Sequence, residues 1–160
     1  MIMIIAITGT PGTGKTEVAK LLAKELKWKL IELNKLAEEK NFYRGYDEER
    51  ECKIVDINKL SREIKKMKEN LILEGHFSHD MSCDLVIVLR CAIGELRKRM
   101  EKRGWPEQKI EENIEAEIMG ICKEEAEDDD KDVLEIDTTG KTAENVTKEI
   151  KLKLKKGAII

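Results

Sequence analysis

The sequence predicts an α/β fold, a five-stranded parallel sheet covered by helices on both faces. Three observations predict it. Five short apolar runs alternate with stretches whose apolar residues recur every three or four positions, the order expected of strand–helix–strand units. The runs are apolar without alternation, as strands buried on both faces require. The chain has 160 residues, 41% of them hydrophobic, enough for one domain with its own core.

The elements follow in order. "MIMIIAI", residues 1–7, reads as the first buried strand, and Val18, Leu22 and Leu26 give the apolar stripe of the helix after it. "WKLIEL" is a short second strand. Residues 34–55 form a polar excursion that holds both tyrosines and one of the two phenylalanines. Ile57, Leu60, Ile64 and Met67 mark the next helix, and "LILEGH" and "LVIVLR" two more strands. Ile93, Leu96 and Met100 lie on a helix that stops near Gly104 and Pro106. Ile110, Ile114, Ile118 and Ile121 are read as one stripe of a following helix, "DVLEID" as the fifth strand, and Val146, Ile150 and Leu154 as the closing helix. The run "EEAEDDDKD" reads as a solvated helix end.

Composition narrows the class. Charged residues reach 39% with a net charge of −3, which lacks the basic footprint of an autonomous nucleic-acid binder. Such Lys/Glu-rich surfaces carry ion-pair networks that gain value at high temperature. No apolar run approaches the roughly 20 residues of a membrane helix, and no secretory leader is expected, so a cytoplasmic protein is the simplest reading. Cys52, Cys83, Cys91 and Cys122 include no Cys-x-x-Cys pair, which argues against structural zinc and for reduced thiols.

"GTPGTGKT", Gly9 to Thr16, matches G-x-x-x-x-G-K-[ST] between a strand and a helix, the context that defines a phosphate-binding loop. The fold is therefore expected to be the three-layer P-loop NTPase fold. The loop's backbone N–H groups and the helix N-terminus face phosphate oxygens, Lys15 reaches the β- and γ-phosphates, and the Thr16 hydroxyl can bind Mg²⁺. Right-handed crossovers bring "TGTPGTGK", "EGH", "LRC" and "DTTG" to one sheet edge. Glu74 is placed there as a second Mg²⁺ carboxylate, direct or through water. His76, two residues on, can contact phosphate or order a nucleophile. Arg90 is open to two roles, a clamp on the transferring phosphoryl group or a structural ion pair. His79 makes an H-x-x-H pair with His76, but no third metal ligand is evident. Arg103 sits at a hinge before Gly104 and can close over ATP, whereas Arg97 and Arg99 read as a solvated face.

The phosphate acceptor is the open question. No Asn-Lys-x-Asp guanine signature follows a late strand, which argues against a GTPase. The polar excursion suggests a second-substrate pocket in which Phe42, Tyr43 and Tyr46 stack on a base, or else a small satellite core. A small-metabolite kinase of similar size is a weaker alternative.

"GTPGTGKT", "RGYDEE", "VLR", "RGW" and "ENIEAEI", in this order, resemble the small adenylate kinase-like family of archaea and eukaryotic nuclei. Its members are nucleoside monophosphate kinases that also act as ATPases in small ribosomal subunit maturation. The resemblance spans about residues 3–150. It implies one P-loop kinase domain with a core of residues 1–31, 56–101 and 113–160, a nucleoside monophosphate segment at 32–55 and a lid at 102–112. It implies that Gly12, Thr13, Gly14, Lys15, Thr16 and Glu17 line the ATP phosphates. Arg103 would be the lid arginine and Lys141 would lie beside the adenine. Glu74 and His76 stand in the place of the family's Asp-x-His. Tyr43, Gly45, Tyr46, Asp47 and Arg90 fall to the acceptor side. The implied ligands are ATP, Mg²⁺ and AMP, and the implied partners a small-subunit ribosomal protein and rRNA, for a monomer. Two positions depart from the pattern. Glu74 is one methylene longer than Asp, and Glu38 stands where relatives can carry an arginine, leaving Lys35, Arg44 or Arg50 for the acceptor phosphate.

Overall fold

A computed structural model describes residues 2–128 and 131–157. Its strands are β1 (Ile4–Gly9), β2 (Lys29–Glu32), β3 (Tyr43–Asp47), β4 (Cys52–Val55), β5 (Leu71–Glu74), β6 (Leu85–Arg90) and β7 (Val133–Asp137). Its helices are α1 (Lys15–Leu26), α2 (Leu33–Lys40), α3 (Ile57–Lys66), α4 (Ile93–Lys102), α5 (Glu107–Met119), α6 (Ile121–Asp128) and α7 (Ala143–Lys156). A short 3-10 turn spans Ser78–Asp80.

The five apolar runs form one parallel sheet in the order β2-β5-β1-β6-β7, as the sequence predicts. β1 is central, and Ile5, Ala6 and Ile7 are fully buried. Side chains alternate along it. Ile5 and Ile7 join Val18 and Leu22 of α1 and Val146, Ile150 and Leu154 of α7. Ala6 joins Leu33 and Ala37 of α2, Leu60 and Ile64 of α3, and Ala126 of α6. A third cluster of Cys91, Leu96, Met100, Ile110 and Ile114 holds α4 against α5. The two best-capped helices start where the sequence offers a cap. Asp56 accepts from the Lys59 N–H before α3, and Thr142 from the Asn145 N–H before α7.

Two local features refine the sequence reading, and a third, the acidic run, ends a helix as expected. The polar excursion is structured, as α2 followed by the antiparallel hairpin β3–β4. The apolar stripe Ile110–Ile121 is two helices, because Gly120 takes a left-handed conformation and its N–H caps the Ala116 and Glu117 carbonyls. Ile118 therefore leaves the core stripe and is 65% exposed. The acidic run is helical through Asp128, and its Asp129 and Asp130 lie outside the described residues. No helix among the described residues is long and apolar enough to cross a membrane.

The turn from β1 into the glycine loop requires Gly9. Its φ is +147°, and a Cβ there would lie 2.6 Å from the Leu89 carbonyl oxygen of β6 and 2.9 Å from the Thr13 hydroxyl. Gly9→Ala must move backbone in the middle of the sheet, and a loss of at least about 2 kcal/mol is expected. The midpoint of denaturant unfolding checks this.

Candidate functional site

The glycine loop starts at the end of β1, between the ends of β5 and β6. Thr10 is its internal hub. The Thr10 carbonyl accepts from the Thr13 N–H at 3.2 Å, the Thr13 hydroxyl at 2.8 Å and the Lys15 ammonium at 3.4 Å. Gly14 caps α1 in a left-handed conformation and offers no side chain to the helix N–H groups, which are left for an anion. Lys15 is buried, and burial lowers its pKa to about 8, with Glu74 pulling the other way.

Glu74 ends β5 in register with Ile7 of β1. The Thr16 hydroxyl donates to its Oε1 at 3.4 Å. The two residues assigned to Mg²⁺ therefore meet, and their hard oxygen donors fit that ion. Burial raises the Glu74 pKa, opposed by Lys15. His76 is exposed at the mouth of the site and meets Phe77 edge-on, with ring centroids 5.2 Å apart. Crowding by protein, then the Lys15 and His79 charges, lower its pKa to about 4, so the ring is neutral at pH 7. His79 does not pair with His76 around a metal. It is buried, its Nδ1 lies 2.7 Å from the Thr8 hydroxyl, and its Nε2 lies 2.8 Å from Glu125. Both ring nitrogens are thus occupied.

Of the two roles open to Arg90, the structure shows the ion pair. Its Nε donates to Glu117 Oε2 at 2.9 Å, its Nη2 to the Glu117 carbonyl at 2.7 Å and its Nη1 to Glu135 at 3.3 Å. Glu117 is the principal residue that sequence reasoning misses. It is 3% exposed and also accepts from the Thr10 hydroxyl at 2.8 Å and the Cys91 N–H at 2.9 Å.

On the other side of the loop lies a cleft of about 330 Å³. Gly12, Thr13, Gly14, Glu17, Arg103 and Lys141 line it, six of the positions assigned to ATP, together with Val18, Ala143 and Val146. Arg99 corrects the sequence reading. It is half-buried in this cleft rather than on a solvated face, and donates to the Gly12 carbonyl at 3.2 Å and to Thr138. Arg97 is half-buried at the surface, outside the cleft, and pairs with the exposed Glu107 at 2.8 Å. Arg103 lies 5.7 Å from the Trp105 ring, which Lys109 also covers at 3.8 Å. Lys141 pairs with Glu149 at 3.1 Å.

Of the residues expected on the acceptor side, Tyr43, Gly45, Tyr46 and Asp47 lie on the hairpin, with Phe42 just before it, and Arg90 ends β6. Phe42 and Tyr43 pack partly buried against the second core, while Tyr46 is 57% exposed. Gly45 faces Ile54, and Asp47 caps the turn by accepting from the Arg50 N–H. Lys35 pairs with Glu32, and Arg50 reaches Glu112 of α5 at 3.0 Å.

A glycine loop between a buried strand and a helix, a buried lysine, and a hydroxyl facing a carboxylate on the neighbouring strand define the P-loop class. A family model described as an AAA domain matches residues 5–120. A Methanosarcina acetivorans protein bearing the provisional name adenylate kinase is 44% identical over 157 residues, covering 92% of this chain and 84% of its own. A Pyrococcus furiosus protein of the same name is 45% identical, covering 92% and 82%. The chain belongs to this family. Solved structures share the fold. They include Bacteroides thetaiotaomicron shikimate kinase (TM-score 0.64, 16% identity, 97% and 99% covered) and M. mycoides deoxyadenosine kinase with bound dATP (0.62, 17%, 96% and 100%).

The lowered pKa of Lys15 fixes a sign. Between about pH 8 and 10.5 the unfolded chain holds a proton that the folded chain has released. Stability from this group therefore rises with pH across that window, and the penalty is full below pH 8. Lys15→Met removes it. At pH 7 the ligand-free variant is expected to be more stable than wild type by about 1–3 kcal/mol, with the difference shrinking by pH 10. Paired unfolding curves at the two pH values check this.

Proposed function

We propose that the protein is an adenylate kinase that transfers the γ-phosphoryl group of ATP to AMP, giving two ADP. The observation that carries the reading is the junction of a nucleotide-sized cleft with a phosphate loop whose Thr16 faces Glu74. Membership of a family whose archaeal relatives bear the adenylate kinase name supports it.

In this reading an oxygen of the AMP phosphate attacks the γ-phosphorus while the bond to the β–γ bridging oxygen breaks. Thr16 and Glu74 would hold Mg²⁺, which would supply positive charge against the phosphate oxygens. The chain's own contribution is positioning and electrostatics. Lys15 is held where desolvation strengthens its attraction for phosphate oxygens. Thr16 and Glu74 hold the metal side. Gly12, Thr13, Gly14 and Glu17 form the floor of the ATP site, with Arg99, Arg103 and Lys141 around the nucleotide. The hairpin residues Tyr43, Gly45, Tyr46 and Asp47 receive the acceptor. Arg90 is assigned to the wall of the site, since its donors already face carboxylates.

A second reading rests on His76. A neutral imidazole exposed beside the buried Lys15 is suited to order a water molecule. The same site would then hydrolyse ATP, and the protein would be a cytoplasmic assembly ATPase acting with a small-subunit ribosomal protein and rRNA.

A coupled assay of ADP and free phosphate, with Mg·ATP and with or without AMP, separates the readings. ADP formed only with AMP, two per ATP consumed and without phosphate, is the expected result. Phosphate released regardless of AMP would favour the ATPase. Lys15→Met is expected to lower AMP-dependent turnover at least about 100-fold with the fold intact; near-normal turnover would sink the assignment.

A further inference from the structure

We propose that Glu117 is a positioning residue for nucleotide binding, which sets the shape of the glycine loop through Thr10 and fastens that loop to the helix that carries the lid. The inference rests on the reading that this loop binds ATP.

A carboxylate taken out of water is costly unless every lone pair finds a donor. Glu117 divides its donors by oxygen. Oε2 takes the Arg90 Nε–H and the Cys91 N–H, both at 2.9 Å, at the junction of β6 and α4. That set alone already forms a complete ion pair. Oε1 is turned to a different element, and the partner it has there is the Thr10 hydroxyl at 2.8 Å.

The Thr10 contact reaches the phosphate side in one further step. With its hydroxyl committed to Glu117, Thr10 presents its carbonyl to the Thr13 N–H, the Thr13 hydroxyl and the Lys15 ammonium. The carbonyl therefore holds the loop closed and parks the lysine. The carboxylate itself rides on α5, whose first turns belong to the lid segment and whose Ile110 and Ile114 seat it against α4. α4 in turn carries Arg99, bonded to the Gly12 carbonyl. A shift of α5 is thus transmitted to two points of the loop, Thr10 and Gly12. The site described above needs Lys15 placed; it does not by itself require a carboxylate on α5 to place it.

The experiment measures Mg·ATP and AMP affinities by calorimetry. Thr10→Val leaves the Arg90–Glu117 pair intact and removes only the loop contact. It is expected to weaken Mg·ATP binding about tenfold, and Thr10→Ser, which keeps the donor, to restore it. Glu117→Gln keeps an oxygen for Arg90 and Cys91 but turns its amide to Thr10, so that the Thr10 hydroxyl must reverse from donor to acceptor and the charge-assisted bond is lost. It is expected to cost about tenfold in Mg·ATP affinity in the wild-type background and less than twofold in the Thr10→Val background. AMP affinity is expected to stay within twofold throughout, a split that general destabilisation does not produce. Thr10→Val binding Mg·ATP as wild type does, or the two substitutions multiplying, would overturn the inference. Should Glu117→Gln fail to fold, the Val and Ser variants at Thr10 decide alone. A wild type that binds Mg·ATP yet phosphorylates no AMP would end the kinase reading and leave this one standing.

Discussion

The Lys15 ammonium sits buried at the end of the central strand, with the Thr10 carbonyl as its near neighbour and the Glu74 carboxylate across the strand gap. Burial works against both charges, lowering the lysine pKa and raising that of the glutamate. Neither group is fully compensated by the other. In the proposed reading a triphosphate with its divalent cation would supply what each lacks, anionic oxygens for Lys15 and a positive centre for Thr16 and Glu74. The register of β5 beside β1, which sets Glu74 opposite Ile7, is what holds these two charges at one edge. The folded protein thus carries two incompletely compensated charges, which a bound nucleotide would relieve in the proposed reading, so that binding energy and stability would draw on the same residues.

The walls of the site are built around those two charges. On one side Arg99 and Arg103 bring further positive charge to the nucleotide cleft, where it favours an anion but would repel Lys15 if left unpaired. Glu95 answers Arg99 at 2.9 Å and also accepts from the Gly140 N–H, which lowers its own pKa. On the other side Glu117 absorbs the Arg90 charge. Arg90, Arg99 and Lys141 each have a carboxylate behind them, Arg103 lies against the Trp105 ring, and Lys15, at the loop itself, donates to a backbone carbonyl.

Much of this was legible in the sequence. The five apolar runs, the glycine loop and the convergence of Thr16 with Glu74 follow from periodicity and from one motif of high specificity. Glu117 lies within "ENIEAEI", in the middle of an apolar-periodic stretch. The signal was present, because Ile110, Ile114 and Glu117 lie at i, i+4 and i+7 and put a carboxylate on a core stripe. It was masked by Ile118 and Ile121, which extend the apolar period past a glycine that ends the helix. Arg99 was hidden for another reason. On a helix with Arg97, Lys98 and Lys102 nothing local says which cation turns inward, and the choice is made by the loop backbone of a segment 87 residues away. Arg90 shows the limit from the other side, since position at the sheet edge fitted either a phosphate clamp or an ion pair, and its carboxylate partners come from α5 and β7.

Closure over the substrates is the step that the ligand-free geometry leaves to the ligands. Between the hairpin and α5 the structure provides an ion pair of Arg50 with Glu112, with side chains 68% and 53% exposed. Such a pair is worth roughly 0–1 kcal/mol and is screened by salt. It cannot hold the site shut against the entropy of the exposed hairpin. In the proposed reading, closure would come from charge brought in by the substrates, the acceptor's phosphate toward the hairpin and the ATP phosphates toward Arg99 and Arg103. A site closed by both substrates excludes water only when both are present. On the same reading, with ATP alone the exposed imidazole of His76 would still meet solvent, so transfer and hydrolysis would compete at one site and occupancy by the acceptor would decide between them.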